Sequence, residues 1–205
     1  EADAEAAVYG IYPGFAGNNI FNQFWEVLQS QGTDDSEWGG GRTTTNLDKN
    51  ALDKFQYDAN TNLIYALWGH HYKIINWCNF AIENIQSMNS DIISGQLKSQ
   101  LVGEAKFLRG FAYYNLVRTY GGVPLVLKQT VSLDGLEVPK NTLEECYNQI
   151  IEDLQEAESV LPQAKDIPAS YVGMRTKGAA DGKLASDYLT RGDYQQAVTK
   201  TGDIM

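Results

Sequence analysis

Between residues 30 and 50 the chain carries Asp34, Asp35 and Glu37, a tryptophan at position 38, three glycines at 39–41 and Arg42, and Tyr57 and Asn62 follow soon after. Carboxylates, guanidinium groups and amides are the side chains that reach sugar hydroxyls, and flat aromatic faces cover the weakly polar C–H surface of a pyranose. Trp38, Asp34, Asp35, Arg42, Tyr57 and Asn62 therefore make up a candidate inventory for oligosaccharide binding. Other readings stand beside it. A large aromatic in a polar, glycine-rich loop either folds back onto the core or waits for a ligand. Asp34, Asp35 and Glu37 have the right type for general acid and base in glycoside hydrolysis, but any exposed loop of this composition contains carboxylates by chance.

Other chemistries find less support. His70 and His71 are the only histidines. Adjacent positions on a helix point about 100° apart and do not readily chelate one ion, so His71 is expected in the core and no metal site is expected. Gly39, Gly40 and Gly41 lack the Lys-Ser/Thr ending and the preceding strand of a phosphate loop. A net charge of -10 and a pI near 4.6 argue against nucleic acid and anionic membrane surfaces as partners. No apolar run approaches the roughly 18 residues of a membrane-spanning helix. Cys78 and Cys146 both fall on apolar helical registers, which favours buried thiols over a disulfide. No cofactor and no catalytic residue is assigned.

These groups need elements to hold them, and the periodicity is helical throughout. A first helix is expected over residues 1–11, broken at Pro13-Gly14, and a shorter one over 20–29. Residues 30–50 are rich in Gly, Thr, Asp and Asn, a long stretch to leave without structure unless it is functional, and form the candidate ligand loop. Ile64, Trp68, His71, Ile75, Cys78, Ile82 and Ile85 then follow steps of four and three over about six turns. The short link at Asn89-Ser90-Asp91 pairs this helix with an antiparallel neighbour beginning near Ser94. Thr142 and Glu145 form a Ser/Thr-x-x-Glu capping box. Leu143, Tyr147, Ile150, Leu154, Ala157 and Leu161 follow as the buried stripe of that helix, which Pro162 ends, with Glu144, Glu152, Glu156 and Glu158 on its solvated face. Trp25, Trp68, Trp77, Tyr113, Tyr114 and Tyr120 lie within helices and are expected to pack.

One stretch is more specific. From Glu104 the chain reads EAKFLRGFAYYNLVRTYGGVPLVL; Leu101 just before it and Ala105, Leu108, Ala112 and Asn115/Leu116 within it form one apolar stripe, and Phe107, Phe111 and Tyr114 a second beside it. A helix of this kind is buried on more than one side. Gly121-Gly122 closes it and Pro124 forbids its continuation, so Val123–Leu127 should leave extended. Arg109 and Arg118 then need partners or a path to water.

That pattern resembles the hallmark of the SusD/RagB family of outer-membrane nutrient-binding lipoproteins. Two further segments agree: EADAEAAVYGIYPGF with TDDSEW near the start, and MRTKGAADGKLASDYLTRGDYQQAV near the end, which is similar to a tetratricopeptide unit through Leu184, Ala185, Tyr188, Gly192, Tyr194 and Ala197. Asp181, Gly182 and Asp187 depart from the small or apolar residues usual there.

The resemblance implies an all-α fold, a tetratricopeptide-like helical-repeat scaffold with long irregular loops. It also implies a non-catalytic function, the capture of oligosaccharides at the cell surface for a SusC-like TonB-dependent outer-membrane transporter. Attachment to the membrane would be through a lipid anchor that this sequence does not contain. Residues 1–205 are expected to form the N-terminal helical domain of a longer chain, with 175–205 as an incomplete repeat. Two alternatives remain: peptide capture, as in RagB-like relatives, and a tetratricopeptide-type adaptor for protein segments.

Overall fold

The computed structural model describes residues 1–17, 20–21, 23–37, 47–132, 137–167, 173 and 175–204. Among them every regular element is helical: α1 (Ala2–Tyr9), α2 (Tyr12–Phe15), α3 (Phe24–Gln31), α4 (Leu47–Asp53), α5 (Asn62–Ser87), α6 (Gly95–Tyr120), α7 (Leu143–Val160), α8 (Lys177–Arg191) and α9 (Tyr194–Ile204), with a 3-10 turn at Ala164–Asp166. This is the expected all-α class. Residues Gly10–Ile74 make one compact unit, and Glu1–Tyr9 with Ile75–Met205 make another.

In the first unit Val27 of α3, Leu52 of α4 and Leu63 of α5 form a buried cluster flanked by Phe24, Leu28 and Ile64. Three local expectations need correction. Pro13-Gly14 does not break a helix but sits inside α2, because proline at the first helical turn has no N–H to lose from the ladder. The second expected helix starts four residues later, at Phe24. The candidate loop is not irregular through residue 50, because α4 begins at Leu47, where Leu52 has a core to join. A run of rings, Phe15 on Phe21 at 6.1 Å, Phe21 on Trp25 at 5.7 Å and Trp25 on His71 at 6.4 Å, lines the interior.

The second unit is organised by α6. Its Ser94 N-cap accepts the Leu97 N–H, and helices run antiparallel on either side of it. On one side Arg109 reaches Asn79 and Lys98 reaches the Met88 carbonyl. On the other, Arg109 faces Asp153 and Lys106 faces Glu156. Gly103 lets α7 approach closely, since a Cβ there would fall inside contact distance of Val160 Cγ2 and 3.5 Å from Ala157 Cα.

The hallmark sequence has a physical purpose here. After α6 the extended segment 123–127 runs to a bend at Lys128, and apart from the Asn141 amide on the Val123 carbonyl the backbone through Thr130 is met by side chains in place of a neighbouring strand. Val123 exchanges bonds with the Cys146 thiol, Leu125 donates to Asn141, and Val126 both donates to and accepts from the Tyr113 hydroxyl. Arg109 donates to the Leu127 carbonyl, Asn79 to those of Val126 and Lys128, and Glu83 and Asn76 accept from Gln129 and Thr130. The buried Arg109 gains its counter-charge in a bidentate contact with Asp153 at 2.8 and 2.6 Å. Arg118 lies over the Tyr114 ring at 5.3 Å. Cys78 and Cys146 are buried free thiols, and burial pushes the Cys78 thiol well above its ordinary range.

The Thr142/Glu145 capping box forms as expected. Leu143 does not join the buried stripe and is 50% exposed. The Arg109–Asp153 level places residue 143 opposite the last turn of α6, where the partner helix ends. Trp77 is 36% exposed, a correction to its expected packing: it stands about 100° round the helix from Cys78, past the edge of the stripe formed by Leu67, His71, Ile74, Cys78 and Ile85. Glu158 is not a solvated acid. It bonds Lys177 at 2.9 Å and Lys200 at 2.7 Å, and with Asp181 ties α7 to the α8–α9 hairpin that turns at left-handed Gly192.

Candidate functional site

The first unit carries a cleft of about 150 Å³ lined by Gln23, Phe24, Leu47, Asp48, Lys49, Asn62 and Leu63. Each wall has a local cause. Gln23 precedes α3, the Leu47–Lys49 turn opens α4, and Asn62 opens α5, so three helix starts meet around one opening. Leu63 and Leu52 bury the apolar sides of α5 and α4, leaving Asn62, Asp48 and Lys49 for the mouth. The entry to α5 is fixed by an Asx turn: Asp58 Oδ1 accepts the Asn60 and Thr61 amides at 2.8 and 3.1 Å, and Thr61 Oγ1 accepts the Asp58 amide.

Aromatic surface accompanies the cleft in the same unit. Phe55 is 67% exposed, Tyr57 45% and Tyr65 68%. Phe55 has φ of 53°, the left-handed region. It ends α4 in a Schellman pattern in which Gln56 donates to Ala51 and Phe55 to Leu52. Glycine is usual at that position, and a phenylalanine held there in solvent is strained by roughly 1–2 kcal/mol.

Of the residues singled out from sequence, Asn62 lines the cleft. Tyr57 lies exposed in the segment leading to α5, and Asp34 and Asp35 are exposed in the turn after α3. Trp38 and Arg42 lie outside the described residues. Gln23, Phe24, Asp48, Lys49, Phe55 and Tyr65 were not singled out. The signal for the α4 contribution was the Thr43–Asn46 run of capping residue types directly before Leu47-Asp48.

Two alternative chemistries have structural answers. His71 is buried and its pKa falls to about 4, chiefly through burial, so the ring is neutral. Its Nδ1–H donates to the Leu67 carbonyl at 2.8 Å. Glu158, Asp181 and Asp203 stand close enough to hold an ion, but the Lys177 and Lys200 ammonium groups already sit between them, at 2.7 to 3.6 Å. The cleft lining sets the Asp48 carboxylate and the Lys49 ammonium beside the Gln23 and Asn62 amides. Its groups suit hydrogen bonding to neutral hydroxyls.

A family model described as SusD-like, starch-binding and associating with the outer membrane, matches residues 17–189. The chain belongs to the SusD-like family. SusD-like protein P2 of Formosa agariphila is 30% identical over 200 residues, covering 96% of this chain and 37% of that protein. A SusD-like protein of Bacteroides ovatus is 28% identical over 151 residues, covering 73% of this chain and 27% of its own length. Among solved structures, a laminarin-binding SusD-like protein superposes over 100% of this chain with a TM-score of 0.87 at 24% identity, covering 43% of that structure. A SusD-like protein from Bacteroides fragilis does so with a TM-score of 0.83 at 24% identity, covering 38% of that structure. This SusD-like chain thus spans well under half the length of the relatives it matches. No helix among its described residues is long and apolar enough to cross a membrane.

Proposed function

We propose that this SusD-like chain contributes to non-catalytic capture of oligosaccharides at the outer membrane, with the cleft of the first unit as its contact to glycan. The observation that carries the reading is the meeting of Gln23, Asp48, Lys49 and Asn62 around one opening, in a unit that also exposes Phe55, Tyr57 and Tyr65. Amides, a carboxylate and an ammonium supply donors and acceptors to hydroxyls, and the rings supply faces for the C–H surface of the sugar. Trp38, Arg42, Asp34 and Asp35, which lie between α3 and Leu47 in sequence, are proposed as further glycan contacts on their residue types. Family membership supports delivery of the captured glycan to a SusC-like TonB-dependent transporter, with the protein held at the cell surface by a lipid anchor.

Isothermal titration with maltooligosaccharides, laminarin and other glucans tests this. Binding of at least one glycan is expected, with Asn62→Ala or Asp48→Ala weakening it about tenfold, the worth of a lost hydrogen bond to a sugar. Binding of basic peptides in place of any glycan, or glycan affinities untouched by both substitutions, would overturn the assignment.

A further inference from the structure

Asp187 was notable in the sequence as an acid in a helix where small or apolar residues are usual, and the structure buries it completely. Neither of its carboxylate oxygens has a hydrogen-bond partner among the described residues. An ionised carboxylate left in that condition carries the full cost of lost hydration, whereas a neutral acid carries far less. The cation best placed to answer it lies one turn back on the same helix. Lys183 and Asp187 are four residues apart on α8, the spacing at which side chains meet. Yet the Lys183 ammonium is turned away, 3.0 Å from the centroid of the Tyr114 ring on α6 and 5.1 Å from that of Phe111.

We propose that Lys183 and Asp187 form a proton-operated switch that decides whether α8 is fastened to α6. With Asp187 protonated, Lys183 crosses to the Tyr114 ring and joins the two helices by a cation–π contact. When Asp187 loses its proton, Lys183 turns back along α8 to pair with it, and a contact between helices becomes one within a helix.

The other groups around Asp187 leave this role to Lys183. From α6, Arg118 already lies over Tyr114 at 5.3 Å. From α7, the Tyr147 ring is buried and uncharged in this range, its pKa raised first by its own burial and then by Asp187. On α8 itself, Arg191 donates to Asn148 at 3.0 Å, and Lys177 is bonded to Glu158 and Asp181. From α9, Lys200 is bonded to Glu158. Burial raises the Asp187 carboxyl to about 7 and lowers the Lys183 ammonium to about 8, so the exchange falls near neutrality.

The test is an NMR titration of the full chain with labelled Lys and Asp, following the Lys183 ε-methylene and the Asp187 carboxyl carbon from about pH 5.5 to about pH 8. Lys183→Met and Asp187→Asn assign the two signals. At the acid end the ε-methylene should be shielded by the Tyr114 ring current and should lose that shielding with the midpoint of the Asp187 carboxyl, near 7. In Asp187→Asn the shielding should persist across the range. Constant shielding in the wild type, separate midpoints for the two groups, or the same loss of shielding in Asp187→Asn would each overturn the switch. The wild-type titration is decisive by itself if the Asn variant does not fold.

Discussion

Removing Asp153 leaves the Arg109 guanidinium without its counter-charge at the point where α5, α6, α7 and the extended segment are tied together. The pair is bidentate at 2.8 and 2.6 Å, with side chains 6% and 1% exposed. Breaking such a pair from one side costs about 3–5 kcal/mol, because the surviving charge stays desolvated. Arg109 still donates to Asn79 Oδ1 at 2.9 Å and to the Leu127 carbonyl at 3.3 Å. Those bonds place Asp153→Ala at the lower end, a loss of about 3 kcal/mol and about 6–12 °C in melting temperature for a chain of this size. The double variant Arg109→Met/Asp153→Leu removes both charges and refills the volume, so it should recover at least half of the loss. Urea denaturation with thermal melts of the wild type, the single variant and the double variant reads both quantities. A single variant within about 1 kcal/mol of the wild type, or a double variant less stable than the single, would refute the view that this pair holds the extended segment in place.

Three further outcomes follow from particular contacts. In Gly122→Ala the new Cβ falls inside contact distance of the Asn141 carbonyl and 3.1 Å from Leu143 N, backbone that cannot step aside, so a loss of about 1–3 kcal/mol is expected in urea melts, against a smaller loss for Gly110→Ala. Phe55→Gly relieves the left-handed strain and should leave the fold as stable or about 1 kcal/mol more stable, while weakening glycan binding in titration calorimetry. His71 is neutral when folded, with its pKa depressed from 6.5 to about 4. The unfolded chain therefore takes up a proton first as pH falls, and stability should drop by about 3 kcal/mol between pH 6.5 and pH 4. The buried Asp187 carboxyl, raised to about 7, works in the opposite direction, since its contribution is lost as pH rises from about 4 to about 7. Melts of Asp187→Asn across this range isolate the His71 trend.

The helices and the family were legible because they rest on local signals. The stripe through His71, Ile75 and Cys78, the capping box at Thr142 and the glycine pair after Tyr120 each act within a few residues. What escaped depends on partners distant in sequence. That Leu143 would overhang the end of α6, or that Glu158 would be claimed by Lys177 and Lys200, follows from which helix packs where and not from the stripe itself. Asn62 was found as an isolated polar residue of suitable type. Gln23, Asp48 and Lys49 were not, because their shared property is the meeting of three helix starts, and the composition of 30–50 places the first turn of α4, residues 47–50, in the loop before it. The purpose of Arg109 was legible only as a need for a partner, and Asp153 lies 44 residues away.

The central claim, that glycan is met at the cleft of the first unit, is tested most directly by NMR. The side-chain amides of Gln23 and Asn62 and the backbone amides of Asp48 and Lys49 are followed while maltooligosaccharides and laminarin are added. At least one of these glycans should move those four residues together, with a saturable dependence on sugar concentration. A glycan that binds while all four stay fixed, or no glycan bound at all, would contradict the account.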